Sequence, residues 1–289
     1  MSKELRAGIS FCDDTAQTVV LELHPEEVVL HYLEEFKNAS RSDLWFLDAI
    51  INARKDFSGK ISSVSVALDN SAVFLHSFPL DTSLTQTEQN EYVQWELSNF
   101  IEDFKPREYI NDIHPLRTRA RDQVSDVLAV SVKRTLLFDV QQALADQHID
   151  LRLADTYYFG TQYSLLATYP EVKTKTVALV GATMGRLDVG ILVNGRLIDY
   201  RYKFVSTIEE SVNFLREVLM NFPVSDIYLY GTAMTLDLTK NLHTAFAMNV
   251  TALNPFRRMR ISSSFRDFDK FIGQEHRFAS CVGCVLKRQ

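Results

Sequence analysis

Apolar and polar positions along this chain form an ordered series of strand and helix patterns, and the series occurs twice. Near the N-terminus, residues 5–11, 18–24 and 28–35 read as three extended segments, followed by a helix over 42–54 and a strand over 61–68. From residue 174 the order returns: strands over 175–180, 186–193 and 196–203, a helix over 206–220 and a strand over 226–230. Corresponding segments lie roughly 165–170 residues apart. In the second copy Leu187, Val189, Ile191 and Val193 alternate with Asp188, Gly190 and Asn194, the mark of a half-buried strand. Asn194-Gly195 is a hairpin turn whose two positions both need positive φ. Ser206-x-x-Glu209 reads as a capping box, and Ile208, Val212, Leu215 and Leu219 as one apolar helical face. Two similar α/β lobes are expected.

Between the copies, residues 72–155 form an insertion. Its pattern is strand 72–79, helix 87–101, strands 109–116 and 124–131, helix 134–147 and strand 150–155, which predicts a small α+β subdomain. Thr85-x-x-Glu88 caps its first helix, with Val93, Leu97, Phe100 and Ile101 as core positions. A helix over 157–169 leads into the second copy. The expected division is a first lobe of residues 1–71 and 156–173, to which a C-terminal helix over 274–289 returns, the subdomain 72–155, and a second lobe of 174–273.

Composition narrows the functional classes. Hydrophobic residues make up 46% of the 289 and charged residues 24%, which suits a globular chain with a real core. A net charge of −6 lacks the basic footprint that nucleic-acid binding needs. Neither an apolar leader over residues 1–6 nor a membrane-length apolar run is apparent, so a cytoplasmic location is expected. Three cysteines do not make a disulfide framework. Cys281-Val282-Gly283-Cys284 has the spacing of half a metal or redox site but no second pair to complete it, so packing on the last helix is expected; Cys12 reads as a small apolar filler. No HExxH, P-loop or G-x-S-x-G motif is present.

Several local motifs then fall in a recognisable order. They are Gly8-Ile9-Ser10-Phe11-Cys12-Asp13-Asp14-Thr15-Ala16-Gln17; Phe78-Pro79-Leu80 followed by Leu84-Thr85; Gly231-Thr232-Ala233 with Leu238, Leu242 and Asn254-Pro255-Phe256; and Ala279-Ser280-Cys281-Val282-Gly283. Together they resemble the PilM family of type IV pilus assembly proteins, in the actin-like ATPase superfamily that includes actin, sugar kinases and FtsA. The chain also resembles the cytoplasmic part of the type II secretion protein GspL. The resemblance implies duplicated actin-like, ribonuclease H-like lobes that grip nucleotide phosphates between two hairpins. It also implies an aspartate in each hairpin to place metal or water. Here the family's first aspartate falls on Ser10, its second glycine on Cys12 and its basic residue on Gln17, while Asp13 and Asp14 bring charge that opposes a polyphosphate. In the second hairpin the family's D-x-G falls on Gly181-Ala182-Thr183, or Val180 takes the acidic position if the alignment slides. Val205-Ser206 replaces a glycine pair, and Gly231 with Ala233 marks the adenosine region.

Two readings follow. One is a non-catalytic scaffold with a degenerate nucleotide site and no cofactor. The other is a divergent ATP-binding switch that recruits Asp13, Asp14 or Asp188 to hold Mg-ATP. The resemblance further implies a partner, the N-terminal cytoplasmic tail of a PilN-like inner-membrane protein, captured in a groove beside the insertion at the inner face of the inner membrane. Phe74, Phe78, Trp95 and Phe100 are candidate lining residues. Arg117, Arg119 and Arg121 alternate near a hairpin and form either a solvated turn or a docking patch for an acidic segment; Arg257, Arg258 and Arg260 are a second basic cluster with a possible reach to anionic lipid.

Overall fold

A computed structural model describes residues 4–38, 45–57, 60–61, 63–119 and 123–287. In chain order the first lobe begins with β1 (Glu4–Cys12), β2 (Thr15–Leu23), β3 (Val28–Lys37), α1 (Leu47–Asp56) and β4 (Ser63–Leu68). The insertion supplies β5 (Val73–Asp81), α2 (Gln86–Ser98), β6 (Tyr109–Arg119) and β7 (Val124–Lys133). Next come α3 (Arg134–Ala145), β8 (Asp150–Thr156) and α4 (Tyr157–Thr168). The second copy holds β9 (Thr176–Thr183), β10 (Arg186–Val193), β11 (Arg196–Phe204), α5 (Ile208–Leu219), β12 (Asp226–Tyr230), α6 (Leu236–Phe246) and β13 (Asn249–Ala252). Short β14 (Arg260–Ile261) and α7 (Ala279–Leu286) close the chain.

The duplication is visible in the sheets. One runs β14-β3-β2-β1-β4-β8 and the other β11-β10-β9-β12-β13. In both, three antiparallel strands are followed by two that run parallel to the first. β8 is therefore the fifth strand of the first lobe, paired with β4, although its sequence reads as the last strand of the insertion. The insertion's own sheet has three strands, β5-β7-β6. Periodicity shows that residues 150–155 are extended, but the sheet edge that receives them is set by contacts distant in sequence.

Local chemistry explains most boundaries. Asn194 and Gly195 take φ of 54° and 77°, as the β10–β11 turn demands. Thr85 and Glu88 form the complete capping box of α2. At α5 the cap is Thr207, one residue later than the Ser206 reading: its hydroxyl accepts from the Glu210 amide, and Glu210 reaches back to the Ser206 amide. Two adjacent S/T-x-x-E frames satisfy the same rule, and packing selects the second. The buried stripe becomes Ser211, Phe214, Leu215, Val218 and Leu219, leaving Ile208 exposed.

One apolar cluster joins the lobes, running from Ile9 and Val66 through Tyr157 and Tyr158 of α4 to Leu179, Leu192 and Tyr230. α4 is buried on nearly every face, and α7 lies against it. A Cβ added to Gly283 would stand 1.7 Å from the Gly160 carbonyl oxygen, so the helices meet backbone to backbone. Cys284 is buried in that contact, while Cys281 is buried on the face turned to the first sheet, with Val19, Leu21 and Leu30; burial pushes the Cys281 thiol up to about 12 and raises Cys284 as well. Arg152 of β8 donates to the Cys284, Val285 and Lys287 carbonyls and so caps the C-terminal end of α7.

Candidate functional site

Three turns converge where the lobes face each other: Asp13-Asp14 between β1 and β2, Met184-Gly185 between β9 and β10, and Gly231-Thr232-Ala233 after β12. In the first hairpin Ser10 and Gln17 are register partners, both fully buried, and the Ser10 hydroxyl donates to Gln17 Oε1 at 3.0 Å. Gln17 Nε2 in turn donates to Thr15 Oγ1 and to Glu35. A neutral hydroxyl–amide pair thus fills the positions where the resemblance expects an acid and a base. Cys12 is buried, and burial, with the Asp69 and Asp13 charges adding to it, raises its thiol pKa well above the ordinary value.

Asp13 sits at φ 57°, in the left-handed region that aspartate tolerates better than most residues. Its amide donates to Asp69 Oδ2 at 2.9 Å, and Asp69 Oδ1 accepts the Ser71 amide. Across the cleft, Asp13 Oδ2 accepts the Met184 amide at 2.9 Å and the Thr232 hydroxyl at 2.7 Å. Asp14 is exposed, and its carbonyl accepts the Asn38 amide.

Gly181 and Gly231 of the second lobe serve packing. A Cβ on Gly181 would stand 2.5 Å from the Tyr230 ring, and one on Gly231 (φ 110°) would stand 2.2 Å from the Ala182 carbonyl oxygen. Thr183 is buried against Arg186. The Ala233 amide donates to the Ala182 carbonyl. His276 Nδ1 lies 3.1 Å from the Gly231 carbonyl; since a carbonyl only accepts, Nδ1 carries the proton. Burial lowers the His276 pKa to about 4.

Asp188 is fully buried and tied to Arg186 Nε and Nη2, with the Tyr200 hydroxyl donating to it at 2.5 Å. Burial works against the Arg186 charge, but Asp188 and Tyr200 outweigh it and hold the guanidinium above its ordinary pKa. Arg186 also stacks on Tyr202 and donates Nη1 to the Asn70 carbonyl of the first lobe at 3.2 Å. Neither Arg186 nor the Asp69-Asn70 turn stood out in the sequence; the signal was present only as an Arg-x-Asp spacing.

Donor atoms of Cys12, Asp13 and Asp69 lie within 4.8 Å of one another. They do not fit Mg-ATP: magnesium prefers hard oxygen ligands, the thiol is held protonated, and these carboxylates are engaged by amides and a hydroxyl. The cavity beside Ala233, lined also by Thr183, Arg186 and Ser206, measures about 240 Å³, below the usual range for a ligand pocket.

Two cavities flank the insertion. One cavity of about 560 Å³ lies among Phe74, Phe100, Tyr109, Ser131, Lys133 and Asp139. A second of about 320 Å³ lies between β6–β7 and the first lobe, lined by Asn111, Asp112, His114, Asp155 and Phe159; the two share Val73. Ser131 and Asn111 are register partners, and Ser131 Oγ and Asn111 Oδ1 are buried without a hydrogen-bond partner among the described residues. The expected lining is corrected in two places: Phe78 is buried in the insertion's core with Leu80, Val93 and Leu97, because α2 covers that stretch of β5. Trp95 is 58% exposed on α2, outside both cavities. Arg117 is exposed, but β6 is irregular between Pro115 and Thr118, so strict alternation stops there; Arg121 and the Arg119 side chain lie outside the described residues. Arg257 pairs with Glu171 and Arg260 with Glu27.

Two sheets of repeated strand order, facing turns and a subdomain inserted in the first half place the architecture. The fold is that of the actin-like ATPases. Among solved structures it matches a chain of the PilM–PilN type IV pilus biogenesis complex at TM-score 0.75 and 17% identity, over 97% of each chain. A Bacteroides thetaiotaomicron protein with actin-like ATPase fold and unknown function matches at TM-score 0.56 and 13% identity, covering 88% of this chain and 92% of that one. The cytoplasmic domain of EpsL, an inner-membrane component of the Vibrio cholerae type II secretion system, matches at 0.51 and 12%, covering 95% and 94%. No protein-family model and no curated protein matches the chain. Among the described residues of this actin-like chain, no helix is long and apolar enough to cross a membrane.

Proposed function

We propose that this chain is a non-catalytic scaffold of a type IV pilus or related secretion machine, working at the cytoplasmic face of the inner membrane. Its task is to capture the cytoplasmic tail of a PilN-like membrane protein in the cavities beside the insertion. The observation that carries the reading is the pairing of those cavities with buried, unpartnered polar atoms. An extended tail would bring main-chain amides and carbonyls to Asn111 Oδ1 and Ser131 Oγ while its apolar side chains fill the space near Phe74 and Phe100. Likeness of fold to a chain of the PilM–PilN complex and to EpsL supports the setting. The nucleotide cleft, with Ser10 and Gly181 in the acidic positions and Asp188 committed to Arg186, supports the absence of hydrolysis.

The test is calorimetric titration of the whole chain with a synthetic peptide copying the cytoplasmic tail of a PilN-like single-span membrane protein. Micromolar binding is expected, weakened about tenfold by Ser131→Ala or Asn111→Ala, each of which removes one hydrogen bond. Binding that survives both substitutions and Phe100→Ala together would place the tail elsewhere. Phosphate release from Mg-ATP is expected to stay at background.

A further inference from the structure

The structure assigns Asp13 as an intramolecular clasp: its carboxylate is the anion between the facing turns and ties the two lobes together without a bound phosphate. This rests on the reading of the cleft as one that works without nucleotide, and it adds what closes the cleft instead. Asp13 Oδ2 accepts from donors 171 and 219 residues away, the Met184 amide and the Thr232 hydroxyl, both on the second lobe. Thr232 Oγ1 also lies 3.9 Å from Cys12 Sγ, but its single proton is best used on the carboxylate at 2.7 Å.

The clasp is built in from behind. The Asp13 amide is held by Asp69 Oδ2, and Asp69 is itself oriented by the Ser71 amide, so the turn presents its carboxylate across the cleft in one direction. A second strap runs the other way, from Arg186 to the Asn70 carbonyl, next to Asp69 in the chain. Each lobe therefore gives the other one charged group, Asp13 outward and Arg186 inward. A backbone N–H in a hairpin turn and a hydroxyl beside a glycine turn are the kinds of donor that receive an anionic ligand. Here both are taken by a tethered carboxylate, which outcompetes a free anion because it is held at high effective concentration.

Hydrogen–deuterium exchange on the whole chain, without nucleotide, tests the clasp. Asp13→Gly removes the carboxylate while keeping a residue at ease at φ 57°, so the turn is retained. Asp14→Gly makes the same charge change next door and is the control. Exchange of the Met184 amide and of the 231–233 segment is expected to quicken roughly tenfold or more in Asp13→Gly, and to stay at the wild-type rate in Asp14→Gly. Thr232→Val, which removes a single strand of the clasp, is expected to quicken exchange by a smaller factor at the same segments. Wild-type exchange rates in Asp13→Gly would overturn the clasp whatever the chain does with ATP. Phosphate release by the wild type would overturn the nucleotide-free reading, and a quickened Met184 amide would still stand as support for the clasp.

Discussion

Charged residues at the lobe interface are valuable where they are fully partnered and costly where they are not. Arg186 and Asp188 are both buried and share two guanidinium contacts, with Tyr200 completing the carboxylate's hydrogen bonds. Arg186→Ala leaves Asp188 uncompensated and is expected to cost about 3–5 kcal/mol, measured by urea unfolding. The double variant Arg186→Met, Asp188→Leu is expected to recover most of that loss; if it is no more stable than Arg186→Ala, unpaired charge is not the cause. His276 makes a pH prediction with a definite sign. Its folded pKa of about 4 lies below the ordinary 6.5, so the unfolded chain binds the proton more readily. The contribution is fully present above pH 6.5 and is lost as pH falls toward 4, by up to roughly 3 kcal/mol. His276→Gln, which keeps a donor for the Gly231 carbonyl, is expected to flatten the loss of melting temperature between pH 7 and pH 5. An equally steep loss in the variant would assign the acid sensitivity to other groups.

Elements reveal why the CxxC-bearing helix carries small residues. α4 and α7 approach until Gly160 and Gly283 touch, and the thiol of Cys284 fills space beside that contact. Gly283→Ala places a methyl group against backbone that has no rotamer to change. The expected cost is about 1–3 kcal/mol or more, read from the shift in urea midpoint at constant slope. Cys284→Ser leaves the helix spacing intact and is expected to cost less; a reversal of that order would mean that thiol packing, not backbone approach, governs the pair. Capping shows how finely elements were legible. Thr85 and Glu88 are read correctly because one S/T-x-x-E frame exists there, whereas Ser206 and Thr207 offer two and the buried stripe of α5 decides between them.

At the scale of the whole molecule, the apolar cluster that runs from Ile9 through Tyr157 and Tyr158 to Leu179 and Tyr230 makes the lobes one cooperative unit. Trp45 packs against Phe46 in the first lobe and reports on that side. In Trp95→Phe, which leaves Trp45 as the sole tryptophan, its fluorescence and the far-ultraviolet circular dichroism of the whole chain are expected to change together in urea, in a single transition. Two separated transitions would show that the shared cluster does not couple the lobes.

By itself the sequence determined the duplicated strand order, the Asn194-Gly195 turn and the α2 cap. These features follow from spacing and residue type within a few positions, where periodicity and turn chemistry act. Tertiary structure decided the rest. It sent β8 to the edge of β4, turned Phe78 into the insertion's core, and bound Asp188 to Arg186. It also reversed the sense of Asp13: read along the chain, its charge is an obstacle to phosphate, yet in the folded cleft it is itself the anion that the facing donors hold. A charge repels or binds according to what stands opposite it, and for Asp13 those groups lie 171 and 219 residues away, beyond the reach of any local pattern.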